Sequence, residues 1–246
     1  MRQICTFFGM DHKCGSTMIS QSVAESLAAK LSGQKILLIH TECDGNNLFS
    51  PNVGESLDSI HPYLTERLID MGEIAEKSRY KDNLYIIGGN YKPGSSSNLS
   101  PTMGEYLLSA ASELFDIIVC DSGADFEHGM SLGSLFSANN IYLVTTASEA
   151  SIRKGEGCVA FFKQINLPLT KLVVNKYSKR SVNSIDLISA RLGFKKDNLF
   201  IVSESDNGDR AEQEERSIYS MKDSRFRKEI DRIADNITER LGYGKL

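Results

Sequence analysis

Short apolar strands alternate with helices along most of this chain, and this alternation constrains the fold more than any other feature. The strands are continuous runs of Ile, Val, Leu and Phe, which is typical of parallel strands buried on both faces. The pattern therefore predicts an α/β fold with a doubly wound, mostly parallel sheet. The predicted strands are 4–8, 35–40, 84–87, 115–120, 140–146, 171–175 and 198–202, and the predicted helices are 16–31, 100–114, 149–164 and 223–241.

The first predicted helix has the clearest periodicity. Its apolar residues recur every four positions, which predicts one buried stripe along the helix. Gly33 is expected to end this helix as its C-cap, since glycine is favoured there. The stripe consists of Ile19, Val23, Leu27 and Leu31.

Length and composition fit one globular domain spanning residues 1–246, with 41% hydrophobic and 24% charged residues. Residues 45–62 and 88–100 are rich in Gly, Ser, Asn and Pro and are predicted to be loops. A net charge of −4 gives no general attraction to nucleic acid, so DNA is a disfavoured partner, although local basic patches stay open.

Cysteine usage and the chain start favour a cytoplasmic protein. The five cysteines are odd in number and form no C-x-x-C, so we expect them to be reduced. The first strand starts within a few residues of Met1, and we expect neither a signal peptide nor a transit peptide. No apolar run approaches the ~20 residues of a membrane span.

A glycine-bearing turn, GMDHKCGST at residues 9–17, joins the first strand to the first helix. Turns of this kind direct backbone N–H groups and a helix N-terminus at phosphates. The phosphate-loop template G-x-x-x-x-G-K-[ST] fits here in two registers. The favoured register retains Gly15 and Thr17, and it places Met10 at the first glycine and Ser16 at the lysine.

The other register retains Gly9 and Ser16, and it places Cys14 at the second glycine and Gly15 at the lysine. We favour the first because it preserves both the glycine beside the lysine position and the metal-binding hydroxyl. In either register the scaffold is present and the lysine is absent.

Two polar residues end later strands. Asp121 follows the apolar run FDIIVC, at a place where a carboxylate can hold Mg²⁺ or its water shell. The hydroxyl of Thr17 or Ser16 is the expected second magnesium ligand from this chain. Asn175 ends the run KLVVN, and its amide carries the donor and acceptor that could pair with a base.

Together these segments resemble the ParA/MinD group of deviant Walker A ATPases, whose loop has the sequence KGGxGK[ST]. FDIIVCDSGAD resembles the second motif of that group, and ILLIHTECDGNNL resembles its second-strand motif, with Glu42 at the position of the switch aspartate. TTASEASIRKGEG and VVNKYSKR resemble two later segments, and the order agrees from residue 3 to about 235. The resemblance implies ATP or ADP with Mg²⁺, a homodimer and a protein partner.

The loop departs from that group at both of its lysines. The signature lysine falls at Asp11 and the Walker lysine at Ser16. Lys13 either swings toward phosphate or stays solvated, and His12 either donates to phosphate or stays solvated. The cofactor contacts that the resemblance implies are Gly9, Asp11, His12, Lys13, Cys14, Gly15, Ser16, Thr17 and Asn175.

Glu42 and Asp121 are the candidate catalytic residues. Glu42 either positions an attacking water or is a solvated residue that begins a loop. A missing lysine removes a cation that would stabilise developing phosphoryl charge, which is usually the largest catalytic contribution. We therefore expect nucleotide binding with weak or no hydrolysis.

Eroded loops of this kind resemble those of TadZ/CpaE-like proteins of pilus and secretion systems. That resemblance implies a nucleotide-dependent scaffold or positioning switch, recruited to the membrane or cell pole. The alternative is a slow ATPase of the plasmid or chromosome partitioning type. A nicotinamide-binding enzyme is disfavoured because no G-x-G-x-x-G follows the first strand.

An apolar stripe with basic neighbours occupies the C-terminal helix. Packing on the sheet is the predicted role of the stripe, and peripheral membrane association is the alternative. The basic clusters at 176–180 and 225–228 are predicted to be solvated faces. The stripe consists of Phe226, Ile230, Ile233, Ile237 and Leu241.

Overall fold

The computed structural model describes residues 2–42, 49–89 and 98–239, and within them nine strands form one sheet. The strands are β1 (Gln3–Gly9), β2 (Ile36–His40), β3 (Glu55–Ser56), β4 (Arg79–Lys81), β5 (Leu84–Gly88), β6 (Ile117–Asp121), β7 (Asn140–Thr146), β8 (Lys171–Tyr177) and β9 (Leu199–Ser203). The helices are α1 (Ser16–Lys30), α2 (Leu57–Glu66), α3 (Met71–Ser78), α4 (Pro101–Leu114), α5 (Gly129–Ser137), α6 (Glu149–Gln164), α7 (Ile185–Leu192), α8 (Gly208–Gln213) and α9 (Ser224–Glu239).

The strand order is β3-β5-β2-β6-β1-β7-β8-β9, and β4 pairs with β5 at one edge. The β4–β5 pair is antiparallel, whereas the other paired strands run parallel. β1 therefore lies in the middle of the sheet, between β6 and β7. The predicted doubly wound, mostly parallel sheet is confirmed.

Helices cover both faces of the sheet, and successive side chains of β2 point alternately to the two faces. Ile36 and Leu38 pack into the cluster that contains α1 and α9. Leu37 and Ile39 point to the opposite face and pack with α2, α3 and α4. A third cluster places α6 and α7 against β7 and β8. These four apolar side chains of β2 are fully buried, each contributing about 1.5–3 kcal/mol by its burial.

The first helix is buried more completely than its stripe predicts. Every residue from Met18 to Leu27 is buried, because α9 covers the side of α1 that faces away from the sheet. Leu31 is only half-buried, and it serves as the C-cap through its N–H bond to the Leu27 carbonyl. The prediction that Gly33 caps the helix is therefore wrong.

The predicted loop at 45–62 is wrong where the structure describes it beyond residue 54. Ser56 begins α2 with a reciprocal capping box to Ser59, and the helix continues through Pro62. Leu57, Ile60 and Leu64 have helical spacing and are buried against the sheet, so packing outweighs the proline. Residues 45–48, and residues 90–97 of the other predicted loop, lie outside the described residues.

The C-terminal stripe packs in the core, as predicted. Phe226, Ile230, Ile233 and Ile237 are buried in the cluster that α1 shares with α9. Leu241 lies outside the described residues. In the described part of the chain, no helix combines the length and apolar character that a membrane crossing requires.

Candidate functional site

The predicted site residues gather where the carboxyl ends of the central strands meet. Residues 10–15 connect β1 to α1 and lie beside the ends of β6, β7 and β8. Gly9 ends β1, and its N–H donates to the Gly123 carbonyl just after β6. Met10 continues toward β7, with its N–H donating to the Val144 carbonyl at 2.7 Å. The loop is therefore fastened to both neighbours of β1.

Gly15 requires glycine for two reasons. It is the N-cap of α1 with a left-handed φ of 87°, and a Cβ there would lie 2.5 Å from the Asn175 Nδ2. As a glycine it offers no side-chain oxygen to cap the helix. The N-terminus of this 15-residue helix thus lacks the cap hydrogen bond that an N-cap serine or aspartate would make.

The loop folds closely back on Gly9. A Cβ on Gly9 would lie 2.8 Å from the Cys14 sulfur and 3.1 Å from the Gly123 carbonyl oxygen. Met10, which replaces a glycine in the favoured register, is only 4% exposed and points toward Gly155 of α6. Its side chain therefore packs in the core rather than in the hollow of the loop.

Cys14 is buried, and this burial raises the pKa of its thiol, while hydrogen bonds from Ser16 and Asp11 act in the opposite direction. The thiol is therefore neutral at physiological pH. It fills space next to Gly9 and adds no negative charge where an anion would bind.

The end of β8 holds the loop through two consecutive carbonyls. The Asn175 Nδ2 donates to the Cys14 carbonyl at 2.8 Å, and Asn175 is 4% exposed. The Lys176 Nζ donates to the Lys13 carbonyl at 3.0 Å. One amide hydrogen of Asn175 is thus engaged by the loop, which leaves its Oδ1 and its second hydrogen for the predicted contact with a base.

Asp11, at the position of the signature lysine, is paired with a lysine from another element. The ammonium of Lys154 on α6 hydrogen-bonds the Asp11 Oδ1, with side-chain exposures of 58% and 18% respectively. The pair lines a pocket together with His12, Phe126 and Phe161. The negative charge that Asp11 adds to the loop is therefore neutralised locally.

Asp121 ends β6 and is buried, with 1% exposure. Its Oδ2 lies 3.1 Å from the Nδ1 of His40, which ends β2 and is 4% exposed. Its Oδ1 has no hydrogen-bond partner within the described residues. A buried carboxylate oxygen without a partner is unfavourable unless a cation or water completes it.

Glu42 lies against the segment that follows Asp121. A Cβ on Gly123, whose φ is 57°, would come within 2.2–2.5 Å of the Glu42 carboxylate. Buried hydroxyls connect these strand ends: Thr41 and Ser122 are 2.9 Å apart, and Ser122 is 2.6 Å from Ser134 of α5. The two candidate catalytic residues are thus on adjacent, hydrogen-bonded strand ends.

The remaining predicted residues occupy the tip and base of the loop. His12 and Lys13 are exposed at the tip, where Lys13 has a φ of 60°. Ser16 is 7% exposed at the first residue of α1, and Thr17 is half-buried beside it. Within the three described ranges, no three His, Cys, Asp or Glu side chains form a metal-binding group.

Three residues at this site were not anticipated from the sequence. Lys154 and Lys176 both reach the loop, and His40 contacts Asp121. Lys176 is exposed, in agreement with the solvated basic face that the sequence predicts, and its ammonium group also hydrogen-bonds the loop. The only available signal was position: Lys176 follows Asn175 directly, and His40 ends a strand in register with Asp121.

No protein-family model matches this sequence, and no curated protein is similar to it at the sequence level. Solved structures are similar in fold. A ParA family ATPase from Chlorobium tepidum superposes with a TM-score of 0.84 at 18% identity, covering 95% of this chain and 99% of that one. The septum site-determining protein MinD from Pyrococcus horikoshii, complexed with Mg-ADP, has a TM-score of 0.81 at 16% identity, covering 100% and 99%.

The MinC:MinD cell division complex of Aquifex aeolicus gives a TM-score of 0.74 at 17% identity, covering 99% of this chain and 97% of that one. At these identities the likeness establishes the fold. The chain has the α/β fold of ParA/MinD-type P-loop NTPases, as its sequence resemblance predicted.

Proposed function

We propose that this protein binds ATP or ADP at the loop between β1 and α1. The observation that carries the proposal is the N-terminus of α1, preceded by a left-handed Gly15 that provides no side-chain cap. Backbone N–H groups at such a terminus, together with the helix dipole, form an anion-binding site. The neutral Cys14 thiol and the neutralised Asp11 keep net negative charge away from the phosphates.

Mg²⁺ fits the residues present. The Asp121 Oδ1, which has no partner within the described residues, is the hard oxygen donor that this ion prefers, and the Thr17 or Ser16 hydroxyl at the start of α1 would be the second oxygen. Bound Mg²⁺ would neutralise phosphate charge. His40 holds the other carboxylate oxygen and so fixes which oxygen is available.

As the biological role, we propose a nucleotide-dependent scaffold or positioning switch that forms a homodimer and recruits a protein partner. MinD itself forms a complex with MinC in Aquifex aeolicus, which supports a protein partner for this fold. Pilus or secretion assembly is the process we propose, because the eroded loop resembles that of TadZ/CpaE-like proteins. Genes for secretion components beside this one would support that process, and a DNA-binding partition partner would contradict it.

Calorimetric titration with ATP and ADP, combined with a phosphate-release assay, tests the proposal. We expect saturable binding that Mg²⁺ strengthens, with turnover at the buffer background, because residue 16 provides no cation. Turnover well above background that is lost in Glu42→Ala would instead establish a slow ATPase. Absence of binding to either nucleotide would overturn the proposal.

Ser16→Lys is expected to tighten ATP binding about tenfold, since one charge-assisted contact to phosphate contributes on the order of 1.4 kcal/mol. Ser16→Met is the matched control, because methionine has similar bulk and no charge. Calorimetry measures both affinities, and thermal unfolding checks that both variants fold. Equal affinities for the two variants would mean that residue 16 does not face phosphate.

A further inference from the structure

The side chain of Lys176 is exposed, yet its ammonium group hydrogen-bonds the loop. Its Nζ donates to the Lys13 carbonyl at 3.0 Å, directly beside the Asn175 contact to Cys14. Lys179, exposed on the turn that follows β8, makes no hydrogen bond or ion pair within the described residues. The contact is therefore specific to one of these two neighbouring lysines.

The backbone is distorted at both ends of this contact. Lys176 has a φ of 52° and Lys13 a φ of 60°, left-handed values that residues with a Cβ rarely adopt. The register between β8 and β9 also shifts between Val174 and Tyr177, so an irregularity spans Asn175 and Lys176. Such irregularities redirect side chains and are frequent beside functional sites.

The two contacts fix the direction of two successive peptide planes. In a planar trans peptide the C=O and the N–H point in opposite directions. Drawing the Lys13 and Cys14 carbonyls toward β8 therefore turns the N–H groups of Cys14 and Gly15 to the other side of the loop, where the Cys14 N–H donates to the Asp11 carbonyl at 3.4 Å. The Gly15 N–H directly precedes the N-terminus of α1, and an N–H group in such a turn adds to the anion-binding concavity of a helix N-terminus.

We infer that Lys176 is a positioning residue for the phosphate loop. Together with Asn175 it presets the N–H group of Gly15 for a polyphosphate chain, and it brings a positive charge to a loop that lacks lysine at residues 11 and 16. This inference rests on the proposed nucleotide binding. It goes further by assigning the orientation of the loop to the end of β8.

The test compares Lys176→Met, Lys176→Arg and the control Lys179→Met with the wild-type protein. Calorimetry measures the affinities for ATP, inorganic tripolyphosphate and adenosine, and amide hydrogen exchange follows residues 10–15 without ligand. For Lys176→Met we expect loop exchange at least tenfold faster and a tenfold to hundredfold loss of tripolyphosphate and ATP affinity, the range for losing a charged hydrogen bond. Lys176→Arg should restore both quantities to within about threefold, because it keeps a cationic donor.

Each alternative outcome leads to a different conclusion. Wild-type protein that binds neither ATP nor tripolyphosphate overturns the proposed function and this inference together. Wild-type binding with unchanged affinity and unchanged loop exchange in Lys176→Met overturns the inference alone. An equal loss in Lys179→Met would show general electrostatic attraction, and a loss confined to adenosine would show a contact with the base; both contradict a positioning role.

Discussion

Replacing Asp121 by asparagine is expected to abolish the Mg²⁺ dependence of nucleotide binding without lowering the stability of the protein. Asp121 is 1% exposed, and its Oδ1 has no partner in the described residues. A buried polar group without a partner costs about 1–3 kcal/mol, and a charged one costs more. An amide of the same shape carries no charge and so lowers that cost in the ligand-free protein.

The loss should appear only when Mg²⁺ is present. A contact to a charged group contributes about 1.5–3 kcal/mol, so the tightening of ATP binding by Mg²⁺ should fall about tenfold to a hundredfold in Asp121→Asn. Calorimetric titrations in excess Mg²⁺ and in chelator measure the difference, and thermal unfolding measures stability. In Asp121→Asn, the ATP affinity in excess Mg²⁺ should then equal the ATP affinity in chelator.

Asp125→Asn is the matched control, because Asp125 belongs to the same segment and its side chain is 36% exposed beside His128. This control should retain the full effect of Mg²⁺. A magnesium effect that survives in Asp121→Asn would show that the ion, if bound, is held elsewhere. A large fall in melting temperature would show that the carboxylate is structural.

The sequence predicts the sheet well because its signals are local. The strand runs are continuous and apolar, and the predicted helices 100–114 and 149–164 agree with α4 and α6, whose N-terminal ends the Ser100 and Ser148 side chains cap. The sequence predicts a loop where α2 begins because residues 45–62 are rich in Gly, Ser, Asn and Pro, while the packing that outweighs this composition involves distant strands. Local composition cannot report that contact.

The candidate site likewise contains some features that the sequence predicts and others that it does not. The positions of Gly15, Asp121 and Asn175 at element ends follow from spacing and from resemblance to a family. The partners of the loop do not, because Lys154 is 143 residues from Asp11 and Lys176 is 163 residues from Lys13. The absence of lysine at residues 11 and 16 is certain from the sequence, yet only the fold shows two other lysines at the loop.

Gly133→Ala is expected to be about 1–3 kcal/mol less stable than a Gly→Ala variant at an open helical position, the range for overpacking a tight contact. α4 and α5 approach closely where Gly104 faces Gly133. A Cβ on Gly133 would lie 2.4 Å from the Pro101 carbonyl oxygen and 2.9 Å from the Gly104 Cα. Both are backbone atoms, so the helices must separate.

Gly157→Ala on α6 is the matched control, since a Cβ there meets nothing within 4 Å. Both variants gain helix propensity, roughly 1 kcal/mol relative to glycine, so their difference isolates the contact between helices. Thermal and denaturant unfolding should show Gly157→Ala at or above wild-type stability and Gly133→Ala several degrees lower. Equal stability would mean that α5 moves aside freely. Such a movement would also affect the candidate site, because Ser134 on α5 hydrogen-bonds Ser122 beside Asp121. A displaced α5 should therefore change how strongly Mg²⁺ tightens nucleotide binding.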